Sequence, residues 1–163
     1  MLDAPTPPLL EGLNGFLDAL ALLNDASGHR SNYRVEPLPP ALDLRLALKQ
    51  YFAARHPGTE AASLEVSWHI RHSALDRNWP NILRPILKHW FFEQHFSPLP
   101  IQHSNGQALV VTRFIERLLD CFGPCELHEI FVTPPIWYDS HWQDFAIVSA
   151  DGQRWLLHLG FSA

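Results

Sequence analysis

Two thiols and an imidazole lie close together in the segment from Cys121 to His128, and these residue types could form a zinc site. Cysteine and histidine are common Zn²⁺ ligands, and His141 offers a more distant fourth group. However, the Cys-x-x-x-Cys spacing has no second matched pair, and it differs from the Cys-x-x-Cys spacing of redox pairs. The sequence therefore predicts no metal and no cofactor, with Cys121, Cys125 and His128 as the ligands of the zinc alternative.

A hydrolase is the second kind of chemistry that the residue types suggest. Asp139, Ser140 and His141 are consecutive and include the three residue types of a hydrolase triad. Adjacent residues of an extended chain do not direct three side chains at one point, and the Gly-x-Ser-x-Gly turn of many hydrolases is missing. A small metal- or histidine-dependent hydrolase that uses His128, His141 and Asp139 is kept as the alternative function.

The charges are distributed unevenly near the carboxyl end. No Lys or Arg occurs between Arg117 and Arg154, a stretch of 36 residues with six carboxylates and only two histidines. The carboxylates are Asp120, Glu126, Glu129, Asp139, Asp144 and Asp151. Such a stretch would present a negative surface if its acids point outward together, and a negative surface attracts a basic partner.

Large aromatic residues accompany these acids. The segment Trp137–Trp142 follows two prolines and is predicted to form a connection between strands. Tryptophan and tyrosine beside charged groups are typical of the anchors of protein interfaces. We therefore predict a partner-binding surface made of Trp137, Tyr138, Asp139, His141, Trp142, Asp144 and Glu129. The structural alternative is that Trp137 and Trp142 fold back onto the sheet core.

This surface predicts a non-enzymatic, acidic protein-binding module. Its sharpest form is a bacterial immunity protein or antitoxin that masks a basic site of a toxin domain, because phosphate-binding sites are positive. The net charge of −5 lacks the positive field of a non-specific nucleic-acid binder. A nucleic-acid contact through Arg71, Arg77, Arg84 and Lys88 is a third hypothesis.

The composition is that of one globular domain. The chain has 163 residues, of which 47% are hydrophobic and 18% charged, and a chain of this length can fold without a metal or disulfide. Two cysteines do not make a disulfide framework, and the amino-terminal segment lacks the basic residues of a secretory signal. We predict a cytoplasmic protein with no membrane partner, a single domain over 1–163, and a flexible lead over 1–8.

Hydrophobic periodicity predicts the elements that position these residues. Helices are predicted over about 9–24, 41–56 and 107–122. A further helix is predicted to begin after Asn78 or Asn81, either of which can cap it, and to reach about Gln94. Strands are predicted over about 64–71, 126–133, 144–149 and 154–160, with a hairpin turn at Asp151-Gly152 and a polar loop before Pro39. The predicted fold class is α+β, an antiparallel sheet of three to four strands with about four helices packed mainly on one face.

Overall fold

The computed structural model describes residues 8–25, 30–55, 68–93, 103–133 and 139–162. These residues form four α-helices and five strands, so the α+β class is confirmed, while the predicted strand number was too low. The helices are α1 (Pro8–Asp25), α2 (Leu44–Ala54), α3 (Trp79–Lys88) and α4 (Ser104–Phe122). The strands are β1 (Arg30–Pro37), β2 (His69–Ala74), β3 (Cys125–Thr133), β4 (His141–Ser149) and β5 (Arg154–Ser162).

All five strands pair in one antiparallel sheet in the order β1-β5-β4-β3-β2. The predicted turn between the last two strands is confirmed: the Ser149 N–H donates to the Gln153 carbonyl, and Gly152 has a φ of 83°. That left-handed conformation favours glycine because a Cβ would be strained there. Strand β5 pairs with β4 on one side and with β1 on the other, so it lies inside the sheet. Its central side chains are buried.

Strand β1 is the element that the sequence analysis missed, because its polar residues were interpreted as a loop. Along β1, buried Tyr33 and Val35 alternate with the partly exposed side chains of Asn32, Arg34 and Glu36. This alternation is the pattern of a strand with an apolar face and a polar face. The polar face of β1 finds partners in helix α2, where the Tyr51 hydroxyl donates to Glu36, and in the segment before β4, where Asn32 contacts Asp139. This face becomes part of the site described below.

The helices cover both faces of the sheet. Three of them, α1, α3 and α4, pack on one face around buried side chains such as Leu13, Leu87 and Phe114. Helix α2 packs on the other face, where Leu48 and Phe52 contact the sheet. Most helices thus lie on one face as predicted, and α2 forms a further layer on the other face.

The predicted helix positions agree with the structure to within a few residues at each end. Helix α3 begins after Asn78, as predicted, and continues into a π-helical turn, His89–Glu93. The early part of the first predicted strand, 64–67, lies outside the described residues, as does 1–7 of the predicted lead. Pro8 already belongs to α1. None of the helices in the described part of the chain is long and apolar enough to cross a bilayer.

Candidate functional site

Three ionisable side chains meet on the sheet face that carries α2. On β5, His158 Nδ1 lies 2.6 Å from Asp144 Oδ1 of β4, and His158 Nε2 lies 2.7 Å from Asp139 Oδ2. His158 and Asp144 are 0% exposed, and Asp139 is 7% exposed. The imidazole is therefore held between two buried carboxylates, one on each ring nitrogen. We call these three residues the buried acid–histidine cluster.

The strand register explains how this cluster forms. Antiparallel pairing places His158 opposite Asp144 on one side and opposite Arg34 on the other. Asp139 precedes β4, and its carboxylate accepts a hydrogen bond of 2.7 Å from the Ser162 hydroxyl. The cluster therefore connects the segment before β4 to the end of β5. Through its imidazole, His158 holds three parts of the chain together: β5, β4 and the segment before β4.

Gly160 allows Asp139 to approach the imidazole. A Cβ at this position would lie only 2.6 Å from His158 Nε2 and 3.1 Å from Asp139 Cγ. Real Cβ atoms essentially never come within 3.0 Å of another atom, and this Cβ would also clash with Asp139 Oδ2. Any side chain here would therefore displace the carboxylate or the ring. A glycine inside a strand often marks a close approach of this kind.

The charges of the cluster support one another. Burial by itself lowers the pKa of His158, but the negative charge of Asp144 and the hydrogen bonds to Asp139 and Asp144 raise the pKa above its ordinary value. Burial likewise raises the pKa of Asp139, but hydrogen bonds from His158 and Ser162 outweigh it and hold this pKa below its usual range. Both carboxylate–imidazole contacts are thus stabilised as charged hydrogen bonds, with Arg34 contributing further positive charge near Asp139.

This cluster positions the chain and does not perform a reaction in the conformation described. Both nitrogens of His158 are occupied, and the ring is enclosed by protein. A general base needs a lone pair within reach of a substrate proton, and this imidazole offers none. The cluster instead fixes the beginning of β4 relative to β5.

The stability of the fold is expected to depend on pH through this cluster. Because the pKa of folded His158 is raised above 6.5, its stabilisation is complete below pH 6.5 and is lost as the pH rises through the folded value. Because the pKa of Asp139 is lowered from 3.8, its contribution is present above pH 3.8 and is lost as the pH falls through the folded value. Urea unfolding from pH 3 to 9 should therefore give the largest cluster contribution between about pH 4 and 6.5.

A neutral variant provides the control for this pH profile. The combination Asp139→Asn, His158→Gln and Asp144→Asn keeps polar groups in place but removes the three charges. We expect the decline in unfolding free energy above pH 6.5 to be smaller in this variant than in the original chain. An equal decline in both proteins would contradict the assignment.

The sheet opens beside the cluster. The last β3–β4 pair is Ile130 with Asp144; beyond it, β3 continues along β2 and β4 continues along β5. A cleft of about 440 Å³ lies at this opening and is closed on one side by the π-helical turn. Its aromatic lining consists of Trp90, Phe131 and Trp142, and its polar lining includes His89, Glu129 and Gln143. We call it the β3–β4 cleft.

Gln143 organises the polar side of the cleft. Its Oε1 accepts a hydrogen bond of 2.9 Å from the Trp90 indole N–H, and its Nε2 donates to Glu129 Oε1 at 3.0 Å. At the exposed ring of Phe131, the Arg71 guanidinium carbon lies 5.9 Å from the ring centroid. Aromatic faces attract cations, and a neighbouring carboxylate strengthens that attraction. The cleft therefore has the chemistry to bind a cationic side chain.

The structure separates the residues of the predicted partner-binding surface. Glu129 and Trp142 both line the β3–β4 cleft, and exposed His141 stacks on Phe161 nearby. His141 and Trp142 belong to β4, so the predicted connection ends earlier than expected. Trp137 and Tyr138 lie outside the described residues.

The outward orientation expected for Asp139 and Asp144 was wrong. Both carboxylates point into the protein because His158 supplies a buried cation between them. Burying a carboxylate without such a partner would cost several kcal/mol, so pairing and burial go together here. Of the members that the structure describes, Glu129, His141 and Trp142 remain accessible to a partner, with Glu129 as their carboxylate.

The groups named for the hydrolase alternative lie apart. His128 of β3 lies opposite Ala146 of β4, and His141 is the first residue of β4. Positions 141 and 146 are about 17 Å apart along the strand. Asp139 is engaged by His158. The structure therefore does not bring the named hydrolase residues to one point.

The thiols of the zinc alternative are partly buried. Burial raises the pKa of the Cys121 thiol and raises that of Cys125 to about 11, which disfavours the thiolate that binds metal. His128 contacts His72 across the β2–β3 pair, with 3.3 Å between their Nδ1 atoms. Within the described ranges, no group of three or more His, Cys, Asp or Glu side chains is arranged to hold a metal ion.

Sequence reasoning missed His158, although one signal could have identified it. The segment Trp155–Phe161 is apolar apart from His158 and Gly160, which is the pattern of a buried strand. A buried imidazole needs hydrogen-bond partners, and nearby acids would be the first candidates. Nothing in the sequence showed that Gln143 would join Trp90 to Glu129.

Comparison with known proteins gives this chain no relative. No family model, no curated protein and no solved structure matches it. The functional assignment therefore rests on the geometry of the β3–β4 cleft and the buried acid–histidine cluster.

Proposed function

We propose that this chain is a non-enzymatic protein-binding module that receives a basic side chain of a partner in the β3–β4 cleft. The observation that supports the proposal is the combination of three aromatic side chains with the oriented carboxylate of Glu129. A basic site of a toxin domain fits this chemistry, and the protein would then act as a bacterial immunity protein or antitoxin. The electrostatic role first expected of several acids is assigned here to Glu129.

The contacts within the cleft favour this kind of binding. Gln143 links Trp90 to Glu129, so one carboxylate oxygen and one indole are already ordered before a partner arrives. A pre-ordered site loses less conformational entropy on binding, and aromatic anchors beside a desolvated charge often dominate interface energies. The guanidinium of Arg71 beside Phe131 supports the proposal, because it is a cation–aromatic contact at the rim of this cleft.

The buried acid–histidine cluster supports the cleft from behind. Gln143 directly precedes Asp144, and Trp142 pairs with Gly160, over which the Asp139 carboxylate lies. Fixing Asp144 and Asp139 therefore fixes the segment of β4 that carries the cleft residues. The cluster would therefore contribute to binding indirectly, by holding β4 in place, without contacting the partner.

A double variant tests the cleft. We expect Glu129→Gln with Trp142→Ala to weaken partner binding at least about 30-fold, equivalent to about 2 kcal/mol, because it removes the charge and one aromatic anchor. The measurement is titration calorimetry with a catalytically inactive toxin domain encoded by the adjacent reading frame. Protection of growing cells against the active toxin gives a second readout, which the double variant should lose.

Glu116 provides a matched control for this experiment. It is an exposed carboxylate on α4, paired with Arg113 at 2.8 Å and outside the cleft lining. Glu116→Gln should leave the affinity unchanged. Equal binding by the double variant and the original chain would overturn the role of the cleft, and the absence of any toxin domain in the adjacent frames would overturn the immunity or antitoxin form.

A further inference from the structure

Two histidines face each other at the edge of the sheet, away from the β3–β4 cleft. The register pairs His72 with Ile130 and Ala74 with His128, so the two imidazoles are diagonal neighbours on the face that carries α2. Diagonal neighbours of an antiparallel pair are within reach of long side chains. The Nδ1 atoms of His72 and His128 are 3.3 Å apart, and their ring centroids are 5.3 Å apart.

We propose that His72 and His128 form a chelating site for a divalent transition metal ion of the Zn²⁺, Ni²⁺ or Cu²⁺ class. Zinc–nitrogen bonds of about 2.0–2.1 Å in a tetrahedral site place two nitrogen ligands about 3.3 Å apart. The observed separation of the two Nδ1 atoms already has this value. Imidazole nitrogen is a preferred ligand of these ions, whereas hard ions such as Mg²⁺ and Ca²⁺ prefer oxygen ligands.

A carboxylate supports the orientation of the second imidazole. Glu126 Oε2 lies 3.4 Å from His128 Nε2, on the side of the ring away from His72. This contact favours the tautomer with its proton on Nε2, which leaves the Nδ1 lone pair directed at His72. Histidines that bind metals commonly donate their other ring N–H to a carboxylate in this manner. Glu126 is therefore assigned as a positioning residue.

The rest of the coordination shell is open to solvent. His72 is exposed, so water can fill the positions that the two imidazoles leave. Two charged residues at the start of helix α2 act on His72: the negative Asp43, which is the N-cap, and the positive Arg45. Their charges offset each other at the imidazole. In the metal-free protein the same contact is an N–H···N hydrogen bond in which His72 Nδ1 donates to His128 Nδ1. Metal binding would require the His72 proton to be carried on Nε2 instead, so that both Nδ1 lone pairs face the ion.

Zinc titration of the chelator-treated full chain tests the proposal. We expect the protein to bind one equivalent of Zn²⁺ by calorimetry. His72→Ala or His128→Ala should each weaken zinc binding more than about tenfold, because each removes one of the two protein ligands. Glu126→Gln should weaken binding less, with the stoichiometry retained. His69→Ala is the matched control, because His69 is an exposed histidine on the opposite face of β2.

Direct observation of the rings keeps the test independent of variant folding. In the unaltered protein, one equivalent of Zn²⁺ should shift the imidazole NMR signals of His72 and His128 and leave that of His69 in place. The proposal is overturned if zinc uptake does not saturate, if other histidine signals shift instead, or if both alanine variants bind zinc as tightly as the original chain.

Discussion

Replacing His158 with Leu is expected to lower the free energy of unfolding by about 3–5 kcal/mol at pH 6. The substitution removes the cation that lies 2.6 Å from one carboxylate and 2.7 Å from the other. Asp144 and Asp139 would then remain buried without the imidazole between them, and an uncompensated buried charge is strongly destabilising. The measurement is urea-induced unfolding followed by tryptophan fluorescence and circular dichroism.

Two further variants show whether the cause is the uncompensated negative charge. Adding Asp139→Asn and Asp144→Asn to His158→Leu should recover part of the lost stability, because both negative charges are then gone. His69→Leu serves as the control, since His69 is an exposed histidine of β2, and it should change the unfolding free energy by less than about 0.5 kcal/mol. A loss below about 1 kcal/mol for His158→Leu would show that the cluster does not stabilise the fold.

Replacing Gly160 with Ala is expected to destabilise the protein by about 3 kcal/mol, through crowding and the loss of charged hydrogen bonds. The added methyl group would lie 2.6 Å from His158 Nε2, so Asp139 or the ring must move. Either movement breaks the contact that connects the segment before β4 with β5. The unfolding midpoint in urea and the NMR signals of the His158 ring would report this change.

Gly15 offers a control of opposite sign. It is an exposed glycine inside α1, and an added Cβ would meet nothing within 4 Å. Gly15→Ala should therefore stabilise the protein by about 0.5–1 kcal/mol, because alanine restricts the unfolded chain and favours the helix. Similar effects of the two substitutions would contradict the argument that Gly160 is required by a close contact.

The parts of the fold that the sequence predicted well have local signals. Helix α4 was recognised because its apolar residues repeat at helical spacing and Gly123 follows its end, and the last hairpin because Asp151-Gly152 separates two apolar runs. Strand β1 was missed because its polar residues meet partners far along the chain. Asn32, for example, lies 3.5 Å from a carboxylate oxygen of Asp139. No local pattern contains that contact.

The candidate site was predicted only in part, for an electrostatic reason. The stretch between Arg117 and Arg154 contains no Lys or Arg, and it was interpreted as an uncompensated negative surface. For Asp139 and Asp144, a compensating charge comes from His158, just beyond the stretch, and Asp139 also lies near Arg34 of β1. A charge count that treats histidine as neutral cannot identify such a partner. Glu129 and Trp142 belong to the predicted partner-binding surface and both line the β3–β4 cleft, but the cleft itself was not predicted.

The order of the strands has a consequence for biosynthesis. Within the described sheet, β1 hydrogen-bonds only to β5, with Arg30 paired to Ser162 and Pro37 paired to Trp155. A ribosome must therefore synthesise nearly all of the intervening chain before the earliest strand can acquire its neighbour. Such high contact order slows folding, and it leaves the nascent β1 dependent on packing against α1 until β5 emerges.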